Sequence, residues 1–197
     1  MVPAASRGAG RGRGGRGCRQ AFLREFRFRG GQRPAGAGGV SVTTRPARRD
    51  DYETLCTLFD ELDEFHRQAR PDFFRPFDGP ARPREQVERW CEGPGSAVLV
   101  AEGDGEVVGL AVLLTRMPMA FAGAVPRHVI ELDNLVVRGD WRSRQVGHHL
   151  LEAATQWSRE QRATHVEVSV HAFNRDARRF YERFGFLPSI DRLMLAV

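Results

Sequence analysis

From Ser41 onward the hydrophobic positions of the chain switch repeatedly between a period of two residues and a period of three to four. The period of two comes first, in "SVTTRPAR" (41–48), and predicts a short strand. It gives way to "RDDYETLCTLFDELDEFHRQ", where Tyr52, Leu55, Leu58, Phe59, Leu62 and Phe65 form one helical stripe, and Asp60, Glu61, Asp63 and Glu64 form an acidic opposite edge. Asp50 with Glu53 three residues later has capping-box spacing, so this helix is expected to start at Asp50. "ARPDFFRPFDGPARP" is broken by prolines, and "REQVERWCE" predicts a short helix. Next, "AVLVAE" and "EVVGLAVLLT" flank "GDG", whose Asp104-Gly105 pair suits the positive φ of a tight hairpin turn. "HVIELDNLVV" predicts a strand, and "VGHHLLEAATQWSREQR" a helix with Val146, Leu150, Ala154 and Trp157 on one side. "THVEVSV" predicts another strand. In "HAFNRDARRFYERFGFLP", Asn174 is placed to cap a helix with Ala177, Phe180, Tyr181 and Phe184 on its apolar face, ending at Gly185. "DRLMLAV" predicts a terminal strand. Residues 41–197 are therefore expected to form one α/β domain with a mixed, largely antiparallel central sheet flanked by helices.

Charge divides the chain differently from its average. Residues 1–40 hold nine arginines and one acid, Glu25, whereas 41–197 hold 21 arginines and 24 acids, so the basic balance belongs to the first segment and the domain carries −3. With 11 of the 21 glycines and no sustained apolar period, residues 1–40 are expected to be a disordered Arg/Gly-rich tail. Three readings of it stay open: a segment with no specific role, a transit peptide, and an RNA-binding arm. All 30 basic residues are arginine, which matches GC-rich coding and favours the first. The acidic domain argues against nucleic acid as its partner. The longest apolar run, Val107–Leu114, is far shorter than the roughly 20 residues of a membrane span, so no membrane partner is expected. Cys18, Cys56 and Cys91 are odd in number and widely spaced, which suggests neither a disulfide framework nor a metal site and makes a cytoplasmic location the default. The six histidines form no HExxH or Cys/His cluster, and no metal is expected.

"LVVRGDWRSRQVGHHLLEA" (135–153) carries chemistry of a specific kind. A strand that runs into a loop and then a helix gathers free backbone N–H groups at the positive end of the helix dipole, which suits phosphate. "RSRQVG" alone is weak, being neither GxGxxG nor a P-loop. In company with its neighbours it resembles the acetyl-coenzyme A loop of the GCN5-related N-acetyltransferase (GNAT) superfamily, R/Q-x-x-G-x-G/A, as Arg142-Ser143-Arg144-Gln145-Val146-Gly147, with Gln145 where the first loop glycine usually stands. "NRDARRFYERFGF" resembles the same family's Asn-x-x-Ala-x-x-(Phe/Leu)-Tyr-x-x-x-Gly-Phe segment, and "TTRPARRDDYETLCTLFDEL" its first strand and helix.

The resemblance implies an acetyl-coenzyme A dependent N-acetyltransferase with a GNAT fold over 41–197. Backbone N–H groups of Arg144, Gln145, Val146, Gly147 and His148 would hold the pyrophosphate, with Arg142 adding charge. The edge of Leu135, Val136 and Val137 would pair with the pantetheine arm, and an N–H around Val136 would face the thioester oxygen. Tyr181 is the candidate general acid, and Asn174 a helix cap that also reaches the cofactor. Asp133 and Glu131, which share one face of a regular strand, are the candidate bases; a bulge would change that parity. Either could instead be a solvated strand residue, and Tyr181 a core aromatic. The acceptor, a small amine or a peptide, is not specified; His66 either lines its pocket or ends the first helix. A homodimer is left open. The competing class is a GNAT-like domain that binds coenzyme A or a protein without catalysis.

Overall fold

The protein is described here from a computed structural model covering residues 41–117 and 121–195; the expected tail, 1–40, lies outside the described residues. The elements follow the sequence order: β1 Val42–Pro46, α1 Tyr52–Ala69, α2 Arg84–Glu92, β2 Ser96–Gly103, β3 Glu106–Arg116, β4 Val129–Val137, α3 Val146–Glu160, β5 His165–Val168 and α4 Arg175–Phe184. The sheet order is β1-β2-β3-β4-β5, with every pair antiparallel except β4 and β5, which are parallel. The β2–β3 hairpin turns at Asp104 (φ 52°) and Gly105 (φ 82°), the left-handed pair that a right-twisted ribbon requires.

Both faces of the sheet are covered, which explains why β2 and β3 are apolar almost throughout. On one face Val98, Val100, Leu110 and Val112 pack against Leu55, Leu58 and Phe59 of α1 and Val87 of α2. On the other, Leu99, Ala101, Ala111 and Leu113 pack against Val146, Leu150, Leu151 and Ala154 of α3, and Tyr181 of α4 joins them. Each large aliphatic or aromatic side chain taken fully from water contributes about 1.5–3 kcal/mol.

Two expectations need correction. The capping box lies at Arg48 and Asp51, not at Asp50 and Glu53: the Asp51 carboxylate accepts from the Arg48 N–H at 2.6 Å and is gripped by Arg45 of β1 at 2.7 Å, so a short 3-10 turn (Arg49–Asp51) precedes α1. The terminal strand is not formed over Asp191–Leu195. Its last three residues are apolar, but Pro188 precedes it, it pairs with no strand among the described residues, and Leu193 and Leu195 stand about nine-tenths exposed. A period of two makes a strand only where a neighbour completes the ladder.

The link from β4 to α3 is pinned by Trp141, which is 4% exposed and lies over Gly103. A Cβ at Gly103 would come within 2.3 Å of the indole ring. Gly103→Ala is therefore expected to cost about 1–3 kcal/mol through overpacking, read as a lower denaturation midpoint. An unchanged midpoint would mean that the indole is free to swing away.

Candidate active site

β4 is a strand of two halves. Leu113 of β3 faces Leu132 and Val112 faces Asn134, leaving Asp133 as an extra residue, a β-bulge. The alternation reverses there: Ile130 and Leu132 point to the α3 face, whereas Val136, an even number of residues on, points to the α1 face. Glu131 and Asp133 nevertheless come together. The Arg116 guanidinium bonds Glu131 and stands 3.7 Å from Asp133, and Asn134 donates to the Asp133 carboxylate. Partial burial, and then the neighbouring Glu131 charge, push the Asp133 carboxyl above the ordinary aspartate range; Arg116 and Arg82 pull it back only in part.

The bulge also marks where β4 loses a neighbour. Pairing with β5 ends at Leu132 and Val168, so residues 133–137 have an unpaired edge on that side among the described residues. The Arg138 N–H donates to the Val108 carbonyl at 2.9 Å, which fixes the ladder: the backbone groups of Val136 turn inward to Leu110, and those of Leu135 and Val137 turn to the open edge. The N–H expected around Val136 thus belongs to its two neighbours. The Val137 carbonyl, on that edge, accepts from Arg142 Nε at 3.3 Å.

Beyond β4 the chain makes a turn at Gly139–Trp141, anchored by Glu61 of α1, whose carboxylate accepts from the Gly139 N–H at 2.9 Å. Arg142 Nη2 stands 3.9 Å from the same carboxylate, and the Arg144 guanidinium lies over the Trp141 ring at 5.1 Å. Ser143 and Gln145 both have φ 63°. Gln145 thus adopts the left-handed conformation usually left to glycine, at a cost of about 1–2 kcal/mol, and the loop keeps its turn. α3 then begins with the N–H groups of Val146, Gly147 and His148 lacking an acceptor among the described residues. At Gly147 a Cβ would sit 3.4 Å from the Phe180 ring, an ordinary contact, so packing does not demand glycine there. The His148 imidazole lies against Phe184 and Glu152, which leaves only its backbone to the loop.

Tyr181 belongs to the α3 face. It is 8% exposed and packed between Phe180 and Phe186; since no fully buried side-chain N or O among the described residues lacks a partner, its hydroxyl is not a sealed, unsatisfied group. Burial pushes its pKa up to about 12, so it stays protonated at any physiological pH. Asn174 caps α4 as expected, accepting from the Ala177 N–H at 3.1 Å, and Gly185 ends the helix at φ 113°. The phenol on the α3 face and the Asp133 carboxylate on the α1 face therefore flank one stretch of open strand edge.

Sequence reading missed an aromatic cluster. His66 near the end of α1 stacks on Phe74, and His171 on Phe173, while the two imidazoles meet edge to face at 5.1 Å. Its only signal was the aromatic density of the loops "DFFRPF" and "HAF", 97 residues apart from Phe74 to His171. The acidic edge of α1 is mostly committed: Glu61 to Gly139, Asp63 to Arg82, and Glu64 to Arg67 and Gln68. Among the described residues no three His, Cys, Asp or Glu side chains gather as metal ligands, and no helix is long and apolar enough to cross a membrane.

Comparison with known proteins agrees with this architecture. A chain named as an uncharacterized N-acetyltransferase, YhfO of Bacillus subtilis (strain 168), is 27% identical over 145 residues, covering 74% of this chain and 89% of its own. The tetramutant of the BH1408 protein of Bacillus halodurans shares the fold with a TM-score of 0.73 at 23% identity, over 79% of this chain and 99% of that one. The aminoglycoside N-acetyltransferase AAC(6')-Iy, solved in complex with CoA, does so with a TM-score of 0.61 at 17% identity, over 83% and 99%. The profile of the acetyltransferase (GNAT) family matches residues 60–186, and the chain belongs to that family.

Proposed function

We propose that the chain transfers the acetyl group of acetyl-coenzyme A to a primary amine. One observation carries this reading: an unpaired strand edge runs from Asp133 to Val137, between a carboxylate and a phenol, and leads into the bare N-terminus of α3. The residues fit the donor. Three acceptorless N–H groups and a helix dipole suit a pyrophosphate. The outward backbone of Leu135 and Val137 suits the amides of a pantetheine arm, once Arg142 releases the Val137 carbonyl and is free to meet the phosphates.

Bound acetyl-coenzyme A supplies an activated acyl carbon and a thiolate leaving group. Asp133, directly or through a water, takes the proton of the attacking amine. An outward N–H of the open edge stabilises the oxyanion, and Tyr181 gives its proton to the departing sulfur. The edge therefore sets the order of the groups: base on the α1 face, acyl carbon in the gap, acid on the α3 face.

Coenzyme A at 100 times its Kd is expected to stabilise the protein by about 2.7 kcal/mol, read as a raised melting temperature. No shift at millimolar concentration would overturn the reading. An equal shift in Gly147→Trp, which puts an indole over the helix start, would reject this loop as the site.

A further inference from the structure

We propose that the acceptor is a monoamine carrying a flat apolar group, bound against the aromatic cluster with its amine at Asp133, and not a polycationic aminoglycoside. The proposal rests on the acetyltransferase reading above and adds the class of substrate.

Position comes first. β4 and β5 run in parallel and their pairing ends at Leu132 and Val168, so the segment carrying His171 and Phe173 leaves the sheet beside Asp133, where β4 continues. His66 and Phe65 of α1 meet this segment, with Phe65 and Phe173 ring centroids 5.9 Å apart. The cluster thus roofs the α1 side of the gap, the side on which Asp133 lies. Arg82 connects the two: it pairs with Asp63 of α1, and its charge is felt by both His66 and the Asp133 carboxyl.

Shape and charge then narrow the ligand. Phe73 and Phe74 extend the cluster into a cleft of about 420 Å³ between the end of α1 and the loop before α2. That volume lies at the small end of the roughly 300–1,000 Å³ of ligand sites and suits one ring on a short chain. Phe73 and Phe77 on its wall are 55% and 48% exposed, an aromatic surface left in water. Arg67, Arg75 and Arg82 line the cleft; Glu64 pairs with Arg67 and Asp63, the one acid on the lining, pairs with Arg82, so no carboxylate there is left free. A polycation would meet like charge with no acidic surplus to receive it, whereas a ring would stack on His66, Phe74 and their neighbours. Only one acceptor ammonium is then matched to one carboxylate, Asp133.

Isothermal titration of the protein with 2-phenylethylamine, butylamine and kanamycin, alone and with coenzyme A, tests this alongside acetylation rates for the three amines. The expected result is binding of 2-phenylethylamine at least tenfold tighter than butylamine or kanamycin, with the same order in kcat/KM. Phe74→Leu, which keeps apolar bulk and removes the ring, should cut the preference over butylamine by about 2–10-fold, with Phe74→Ala cutting it further. Kanamycin or butylamine binding as tightly as 2-phenylethylamine, or a preference unchanged in both variants, would overturn the proposal. If coenzyme A fails to bind while the amine preference appears as expected, the amine site stands and the acetyl-transfer reading alone is rejected.

Discussion

Tyr181→Phe is expected to lower kcat by about 10²–10⁴-fold, the ordinary contribution of a positioned general acid, and to leave coenzyme A binding nearly unchanged. The substitution keeps the ring packed between Phe180 and Phe186 and removes only the hydroxyl, so the melting temperature should move little. With its pKa pushed up to about 12 by burial, the phenol remains a donor throughout the physiological range, and no decline in turnover there should come from its ionisation. The departing thiolate, with a pKa of about 8.5 in its unperturbed form, depends on the dry setting and the close approach to draw the proton across. If Tyr181→Phe turned over at the parent rate with chemistry rate-limiting, Tyr181 would be a packing residue and the proton would come from elsewhere.

Asp133→Asn should be almost as damaging, with about 10²–10³-fold lost from kcat at neutral pH, and it carries a second signature. Folding raises the pKa of this carboxyl, so the fold favours its neutral form. The stability associated with that form is present below the unfolded value of about 3.9 and is lost as pH rises through the higher folded value. An amide escapes this loss, so the variant should melt at or above the parent temperature near neutral pH, and the gap should close in acid. In the parent, turnover should fall on the acidic side as Asp133 takes up its proton, at a pH above that of an ordinary aspartate. A variant with unchanged kcat would remove Asp133 from the chemistry and leave Glu131, held by Arg116, as the alternative carboxylate.

The two periods along the chain were enough to locate every helix and all five strands of the sheet, because each element buries one face or both against a neighbour. Where pairing decided the outcome, the chain alone was silent. "DRLML" (191–195) is apolar enough for a strand, yet it is irregular and pairs with no strand among the described residues. "VIELDNLVV" alternates only up to Asp133 and then sets two polar residues side by side, and which of them is the extra residue is decided by pairing with β3, because a bulge is a property of two strands. The strand-loop-helix junction after β4 and the Asn174 cap of α4 were legible through local patterns of strand, loop and cap. The aromatic cluster was not, since it joins α1 to loops distant in sequence, and most of the acidic edge that looked available on α1, Glu61, Asp63 and Glu64, is spent on Gly139, Arg82 and Arg67.

The unpaired edge of β4 bears on solubility as well as on ligand binding. A stretch of strand whose alternate residues turn N–H and C=O groups to an unpaired edge is a template on which another chain can build, and such edges seed aggregation. This one is guarded at both ends. At its start the bulge twists the strand and sets a carboxylate, Asp133, beside the gap; at its far end the Arg142 guanidinium sits on the Val137 carbonyl. A foreign strand would have to displace an arginine and desolvate an acid to zip along it, whereas a ligand with a pyrophosphate repays the arginine with a stronger partner. The edge is thereby open to an anionic chain of amides and closed to ordinary polypeptide.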